Sequence, residues 1–446
     1  MKVRSFPNAL TILVGFILLA GIMTYLIPKG SYQRVIDPST QREVVVPGSF
    51  QLLQAGQLSP FEILLCIPRG ILKGGEVMVL IFLVGGCFFI VDKTGALKQG
   101  VASLTVRMKG KEKVALVLVG ILFAMGGATE GMQEEIIPLI PILLVLTRNL
   151  GYPPLITIGI SFGSAIVGGA LSPINPFAVV IAQKVADIPF LTGAIFRTIT
   201  FLIGVSIWIA MMVQYASKNP IQQQQEDVSI DTTLTLAHKI ILSLVVAAFG
   251  LLIYGMLSLG WGFNEISAEF FVVGILAGVI GGLGVNGAFV AYTEGFKDLT
   301  FAAMVVGFAY GISLLLKEGL IIDSIIHGLF TPLQYIPSYF SAFGMMISQA
   351  LLHVVVPSYS GQAVLTMPIL APLSDLIGLS RDVSVLAYQY GAVLMDLIIP
   401  TNGTLLAIIA LAGIPYDQWV TFIWKRLLVM FSFCTICLCI AILVGL

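Results

Sequence analysis

Charge is what this chain has least of. Of its 446 residues only 10% are charged and 58% are hydrophobic, against roughly 25% charged in a soluble domain. With a mean hydropathy of +1.01, the chain is not an ordinary soluble globule and is expected to be an all-α polytopic membrane protein buried in a lipid bilayer. Lysine plus arginine balance aspartate plus glutamate at 23 each. No long basic tract or aromatic-interleaved basic motif occurs, so no nucleic-acid partner is expected. Cysteine is also scarce: Cys66, Cys87, Cys434, Cys437 and Cys439. The last three form a Cys-x-x-Cys-x-Cys run, but inside an apolar segment with no histidine or acid close by in sequence, which fits small packing residues better than a metal site. Zinc, P-loop and dinucleotide fingerprints are missing, as is any convincing nucleophile and base pair. No cofactor, no metal and no enzymatic reaction are therefore expected.

Long apolar runs fill the rest. The first, Ala9 to Ile27, follows Lys2 and Arg4, and the second, near Glu76 to Val91, precedes Lys93, Lys98, Arg107, Lys109, Lys111 and Lys113. By the positive-inside rule both flanks are cytoplasmic. The region from Pro28 to Pro60 is then an external loop, with Val44-Val45-Val46 suggesting some β structure. Val114 to Met125 and Ile136 to Leu146 flank a glycine-rich acidic stretch, Gly126 to Glu135. Each arm is too short to cross alone at roughly 20 residues per span, so a re-entrant hairpin is predicted. Leu155 to Ile188 crosses outward, Thr192 to Tyr215 returns, and Gln222 to Asp231 is a polar cytoplasmic linker.

A single span, Ile240 to Leu257, leads to a second half of the same order. It comprises Phe270 to Gly284, Phe301 to Leu316, an amphipathic stretch to Pro337, a second hairpin (Phe343 to Val356, Ala363 to Ile377), a broken segment (Val383 to Ile414) and a last span carrying Lys425 and Arg426. Each half crosses an even number of times, so the lone linker span inverts the second half relative to the first. Pro141 and Pro368, Gly151 and Gly378, Pro173 and Pro400, and Asn175 and Asn402 all fall at an offset of 227 positions. The predicted units are 1–113 (scaffold, with the external loop at about 28–60), 114–191 (transport hairpin and broken helix), 192–239 (scaffold span and linker), 240–258 (inverting span), 266–336 (scaffold), 337–416 (second transport hairpin and broken helix) and 417–446 (final span). The N-terminus is expected in the cytoplasm and the C-terminus outside.

Two polar interruptions concentrate the chemistry: Ser172-Pro173-Ile174-Asn175-Pro176 and Ile399-Pro400-Thr401-Asn402-Gly403. Proline withholds a backbone donor and frees the carbonyl a turn earlier, which hydrocarbon cannot solvate, so each break must line an enclosed or watery site. Opposed half-helix ends of this kind are where secondary transporters hold solute and coupling ion. Ser172, Asn175, Thr401, Asn402 and Thr404 are the candidate ligands at the breaks, with a possible Na⁺ position near Asn175 and Asn402. From the first hairpin tip come Thr129, Glu130, Glu134 and Glu135; from the second, Ser358, Tyr359, Ser360 and Gln362; and Asp396 precedes the second break. Intramembrane acids are costly and usually face a pathway, a cation or a proton relay. With no lysine or arginine inside these four segments, the site is expected to favour Na⁺, H⁺ or a cationic solute. His353, Tyr388 and Gln389 are further polar candidates whose helical phase the sequence leaves open.

The order of hairpin, broken helix, hairpin, broken helix, with Ser172-Pro-Ile-Asn-Pro and Pro400-Thr-Asn-Gly, resembles the ion-transporter superfamily. With Gly127-Ala-Thr-Glu-Gly-Met-Gln-Glu-Glu135 and Pro357-Ser-Tyr-Ser-Gly-Gln362, nearly the whole chain is similar to the YfcC-type branch of the four-carbon dicarboxylate anaerobic carrier family. The resemblance implies a homodimer in the bacterial inner membrane, a scaffold, and a transport domain that moves like an elevator. The superfamily often places Ser-Asn-Thr at both tips for Na⁺ and carboxylate; here the tips are Thr129-Glu-Gly-Met-Gln-Glu-Glu and Pro-Ser-Tyr-Ser-Gly. Carriers of basic amino acids are described in this branch, and an acidic tip suits them. The expected function is secondary transport of a basic amino acid by exchange or ion-coupled uptake. Na⁺- or H⁺-coupled dicarboxylate symport is the alternative, and a channel a more distant one.

Overall fold

The computed structural model describes residues 7–38, 41–107, 110–221 and 234–446. The proposed 222–231 linker, Lys2, Arg4 and Lys109 lie outside them. The first helix, α1 (Ala9–Leu26), begins where the Asn8 side chain accepts from Thr11 N at 2.9 Å. The segment that follows forms two small antiparallel ribbons, β1 (Gly30–Ser31) with β4 (Gln51–Leu52) and β2 (Arg34–Ile36) with β3 (Glu43–Val45). The valine cluster is therefore a strand, as its composition suggests.

Next comes a helix that hydropathy does not reveal, α2 (Pro60–Lys73). A Ser59–Glu62 capping box and Pro60 in the first turn start it, supplying partners to otherwise unpaired amides. Its interior Pro68, with Arg69 and Lys73, lowers its apolar signal. Gly74 separates it from α3 (Gly75–Lys93). Beyond the basic helix α4 (Ala96–Arg107), the first hairpin is α5 (Glu112–Thr129), a 3₁₀ turn (Glu134–Leu139) and α6 (Ile140–Asn149). Here the sequence expectation needs correction: α5 runs 18 residues, through Gly126-Gly127, and is long enough to span. The chain nevertheless doubles back. Gly120 lies against Ile160 and Gly127 against Ala165, so α5 and the helix after the hairpin run side by side in the same direction and the segment between them returns.

The first broken helix comprises α7 (Pro154–Ile160), α8 (Phe162–Leu171), a π-helical turn (Pro176–Val180) and α9 (Ile181–Val185), followed by α10 (Ala194–Lys218). The linker helix α11 (Leu236–Tyr254) leads to α12 (Phe263–Ile280) and the 35-residue α13 (Gly284–Glu318). At 1.5 Å per residue α13 is about 50 Å long, longer than the ~30 Å hydrocarbon layer requires, and Lys297 lies within the helix. It runs antiparallel to α2 and α3, where an ion pair joins Arg69 to Glu318 at one end and another joins Lys93 to Glu294 at the other. The amphipathic stretch is α14 (Ile322–Phe330) and a 3₁₀ turn. The second hairpin is α15 (Ser338–Val355) and α16 (Tyr359–Leu376), the second broken helix α17 (Arg381–Met395) and α18 (Gly403–Leu411), and the last helix α19 (Tyr416–Leu443). Lys425 and Arg426 fall in the third turn of α19, where Arg426 stacks on Phe422 at 3.9 Å from the ring centre.

Eight helices among the described residues are long and apolar enough to cross a membrane. Outward-facing apolar side chains such as Leu18, Leu122, Ile195, Leu202 and Leu443 are left exposed, as expected of a protein solvated by lipid. A large apolar core holds both hairpins and both broken helices, and a smaller one joins α3, α4, α11, α12 and the start of α13.

The 227-residue offset has local structural counterparts. Gly151 and Gly378 both take positive φ, +82° and +72°, where the second arm of each hairpin ends, a conformation glycine adopts without strain. One turn before, Thr147 Oγ meets Thr157 Oγ, and Ser374 Oγ meets Ser384 Oγ at the equivalent positions. Asn175 and Asn402 each cap the helix that follows the break.

Candidate functional site

The two breaks have the same backbone role and different chemistry. At the first, Ser172 Oγ donates to Ala128 O (2.7 Å) and accepts from Ile174 N and Asn175 N (3.0 and 2.8 Å). Asn175 Nδ2 donates to Gly127 O at 2.8 Å, while its Oδ1 accepts from Phe177 N and Ala178 N at 3.0 and 2.8 Å. The carbonyls ending α8 are also occupied: Gln389 Nε2 donates to Gly169 O (3.0 Å) and Ser172 O (2.9 Å). Gln389 is in turn held through its Oε1 by the guanidinium of Arg197, itself 4.0 Å from Asp382. This break is a hydrogen-bonded knot that ties α8 to the end of α5 and to α17.

At the second break the polar groups face open space. A cavity of about 470 Å³ is lined by Glu130, Glu134, Glu135, Asp396 and Thr401-Asn402-Gly403-Thr404, with Ser358, Tyr359 and Ser360 from the other hairpin. Asn402 Oδ1 caps α18 by accepting from Leu405 N at 3.0 Å, and its Nδ2 lies 3.5 Å from Gln133 Oε1. Thr401 Oγ1 is buried without a hydrogen-bond partner, so a bound group or a water molecule must complete it. The Glu135 carboxylate accepts from Gln133 N at 3.0 Å, which orders the tip.

Ten of the residues selected from sequence thus share one wall. Four do not reach it: Ser172 and Asn175 belong to the knot, Thr129 Oγ1 turns back to Met125 O at 2.9 Å, and Gln362 lies in a buried chain behind the wall. Lys73, Gln133, Tyr310 and Ser313 line the cavity as well. Lys73 has no sequence signal because α2 is not marked by hydropathy; Gln133 sits within the tip motif, a neutral amide beside three glutamates.

Behind the wall, Asp396 accepts from Tyr359 OH and meets His353 Nε2 at 3.0 Å. The ring's other nitrogen lies 2.7 Å from Gln362 Oε1, and Gln362 Nε2 donates to Gln349 O at 2.8 Å. His353 and Gln349 are fully buried. Two polar pairs four residues apart, Gln349 with His353 on α15 and Gln362 with Thr366 on α16, are the sequence signal for this chain, since i and i+4 share a helix face.

A membrane bundle with broken helices around a carboxylate-rich cavity is the architecture of a carrier. The chain belongs to the C4-dicarboxylate anaerobic carrier family (DcuC), whose sequence pattern matches residues 6–444. It is 31% identical over 469 residues to the Escherichia coli K12 protein named "Putative basic amino acid antiporter YfcC", covering 93% of this chain and 92% of that one. It is 30% identical over 479 residues to a Haemophilus influenzae protein named "Uncharacterized protein", covering 95% and 94%. Two solved transporters align along the chain. The Alcanivorax borkumensis YdaH transporter does so at 16% identity with a TM-score of 0.46, covering 99% of both chains. Neisseria gonorrhoeae MtrF does so at 18% identity with a TM-score of 0.43, covering 99% of this chain and 96% of that one.

Proposed function

We propose that this carrier moves a small carboxylate-bearing solute by alternating access, and that the solute is a basic amino acid carried by exchange or ion-coupled uptake. The observation that supports the reading above all is the charge of the cavity: four carboxylates, Glu130, Glu134, Glu135 and Asp396, share a wall with one ammonium, Lys73. A side-chain cation offsets their repulsion, and the start of α18 with Asn402 and Thr404 offers amides and hydroxyls to an α-carboxylate. At about 470 Å³ the cavity falls in the usual range for small ligands, roughly 300–1,000 Å³.

Alternating access follows from reading the halves as inverted repeats, with α11 as the lone inverting span. The recurring hydroxyl pairs, hairpin glycines and capping asparagines support this reading. In it, residues 114–191 and 337–416 form an elevator-type transport domain within a homodimeric scaffold, in the bacterial inner membrane, with the N-terminus cytoplasmic and the C-terminus external. The E. coli relative's name agrees with the proposed substrate class. Na⁺- or H⁺-coupled dicarboxylate symport is the second reading, favoured by the family's description and by Lys73; any Na⁺ would sit beside Asn402 and Thr401, whose Oγ1 is unpaired.

Counterflow into proteoliposomes separates the two. Saturable exchange of arginine, lysine or ornithine without Na⁺ is the expected result; uptake of dicarboxylates alone, dependent on a Na⁺ or pH gradient, replaces the first reading with the second.

A further inference from the structure

The buried chain behind the cavity has a fixed hydrogen-bond direction. Thr366 Oγ1 donates to Gln362 O at 2.8 Å, so it accepts from Gln349 Nε2, also at 2.8 Å. Gln349 therefore turns its Oε1 toward Gln362, whose Nε2 donates both to that atom and to the Gln349 backbone carbonyl. A carbonyl only accepts, so the Gln362 amide cannot be reversed. Its Oε1 then faces His353 Nδ1 at 2.7 Å, and Nδ1 must carry the hydrogen.

That leaves the other nitrogen. His353 Nε2 lies 3.0 Å from Asp396 Oδ1, with the two residues 0% and 2% exposed. If both atoms were bare, two lone pairs would oppose each other in a buried site. A proton must lie between them, on the imidazole or on the carboxyl, and the contact is lost when it leaves. The second carboxylate oxygen is already occupied by Tyr359 OH, and Tyr359 is positioned through its backbone carbonyl by Tyr388 OH at 2.6 Å. Asp396 is also part of the cavity wall, which gives the proton a route to the solute. The charged groups on that side are Glu134, Glu130, Glu135 and Lys73. α13, α14 and α19 also pack on α15, and none of them supplies a hydrogen bond or ion pair to the ring among the described residues.

We propose that His353 and Asp396 hold one exchangeable proton that a cationic solute displaces, so that His353 couples solute binding to proton release and the carrier is a proton–solute antiporter. This rests on the acidic-cavity reading above. With the solute bound, its ammonium or guanidinium neutralises Asp396, and the proton passes through Asp396 to cavity water, leaving neutral His353 with its hydrogen on Nδ1. With the solute gone, the proton returns, which keeps the empty cavity from carrying an unpaired buried carboxylate. Each cation in then corresponds to one proton out.

The test is proton release on binding. Purified full-length protein in weakly buffered detergent is mixed with L-arginine or L-lysine, with a pH-indicator dye and an independent measure of bound amino acid. About one proton released per arginine bound is expected, falling to near none in His353→Gln while arginine still binds. Asp396→Asn, read at saturating arginine, is the second variant and is expected to release none. Arginine binding without proton release in the wild type overturns the proposal and leaves the acidic-site reading standing, as does undiminished release from either variant. Absence of any arginine or lysine binding removes the underlying reading itself.

Discussion

The two capping asparagines make the sharpest prediction, because equivalent positions have come to do different work. Replacing Asn175 with alanine deletes the acceptor for Phe177 N and Ala178 N and strands the Gly127 carbonyl. Losing the cap costs about 1 kcal/mol, and an unsatisfied buried carbonyl adds about 1–3 kcal/mol. The total, about 3 kcal/mol, is roughly two powers of ten in the folding equilibrium. Phe177 borders the cavity, but Asn175, Gly127 and Ala178 do not, so solute affinity in the surviving folded protein should change less than in Asn402→Ala. Asn402→Ala removes a single amide partner, Leu405 N, and the contact with Gln133 at the cavity wall. Its stability cost is about 1 kcal/mol, and its arginine Kd should rise several-fold. The measurement pairs thermal inactivation in detergent with equilibrium arginine binding for both variants. A wild-type inactivation midpoint for Asn175→Ala, or a larger affinity loss there than in Asn402→Ala, would refute the division between knot and cavity.

Three further outcomes are expected. Glu130→Gln should weaken binding of arginine or lysine more than that of citrulline, a neutral analogue; equal losses in a side-by-side titration would assign Glu130 a structural role. Gly168→Ala places a methyl carbon against the Ala124 backbone carbonyl where α8 crosses α5, an overpacking that costs about 1–3 kcal/mol; Gly250→Ala, which meets no atom within 4 Å, is the matched control in the same melting assay. Arg34→Ala removes the guanidinium 2.8 Å from the buried Asp323 carboxylate while Tyr32 N still donates to it at 2.9 Å. The β2–β3 ribbon should loosen by about 1 kcal/mol, and limited proteolysis within residues 28–59 should accelerate several-fold without loss of arginine binding.

Much of this architecture was legible because lipid imposes a simple rule on sequence. Long apolar runs mark helices, and Pro-Asn or Pro-Thr-Asn inside one marks a break that must be enclosed. The acidic tip and the second break were found this way and do meet. What sequence missed has physical reasons. α2 is amphipathic and carries Pro68, Arg69 and Lys73, because one face lies on α13 and its end reaches the cavity; hydropathy sees only its charge. Gly126-Gly127 looks like a turn and is instead helix, where the absent side chain lets α5 rest on the backbone of α8 at Ala165. The separate fates of Asn175 and Asn402 depend on which carbonyls and side chains lie opposite them, which one chain's local pattern cannot encode.

Gln389 gives the molecule a mechanical property. It lies on α17 two turns before Asp396, about 10 Å along the axis, and grips the severed end of α8 by two carbonyls. One broken helix is thereby bolted to the other. In the proposed alternating-access cycle, any displacement of α17 would carry the first break with it. On that proposal the two interrupted helices act as a single piston, with Arg197 deeply buried behind Gln389 to hold the bolt in place.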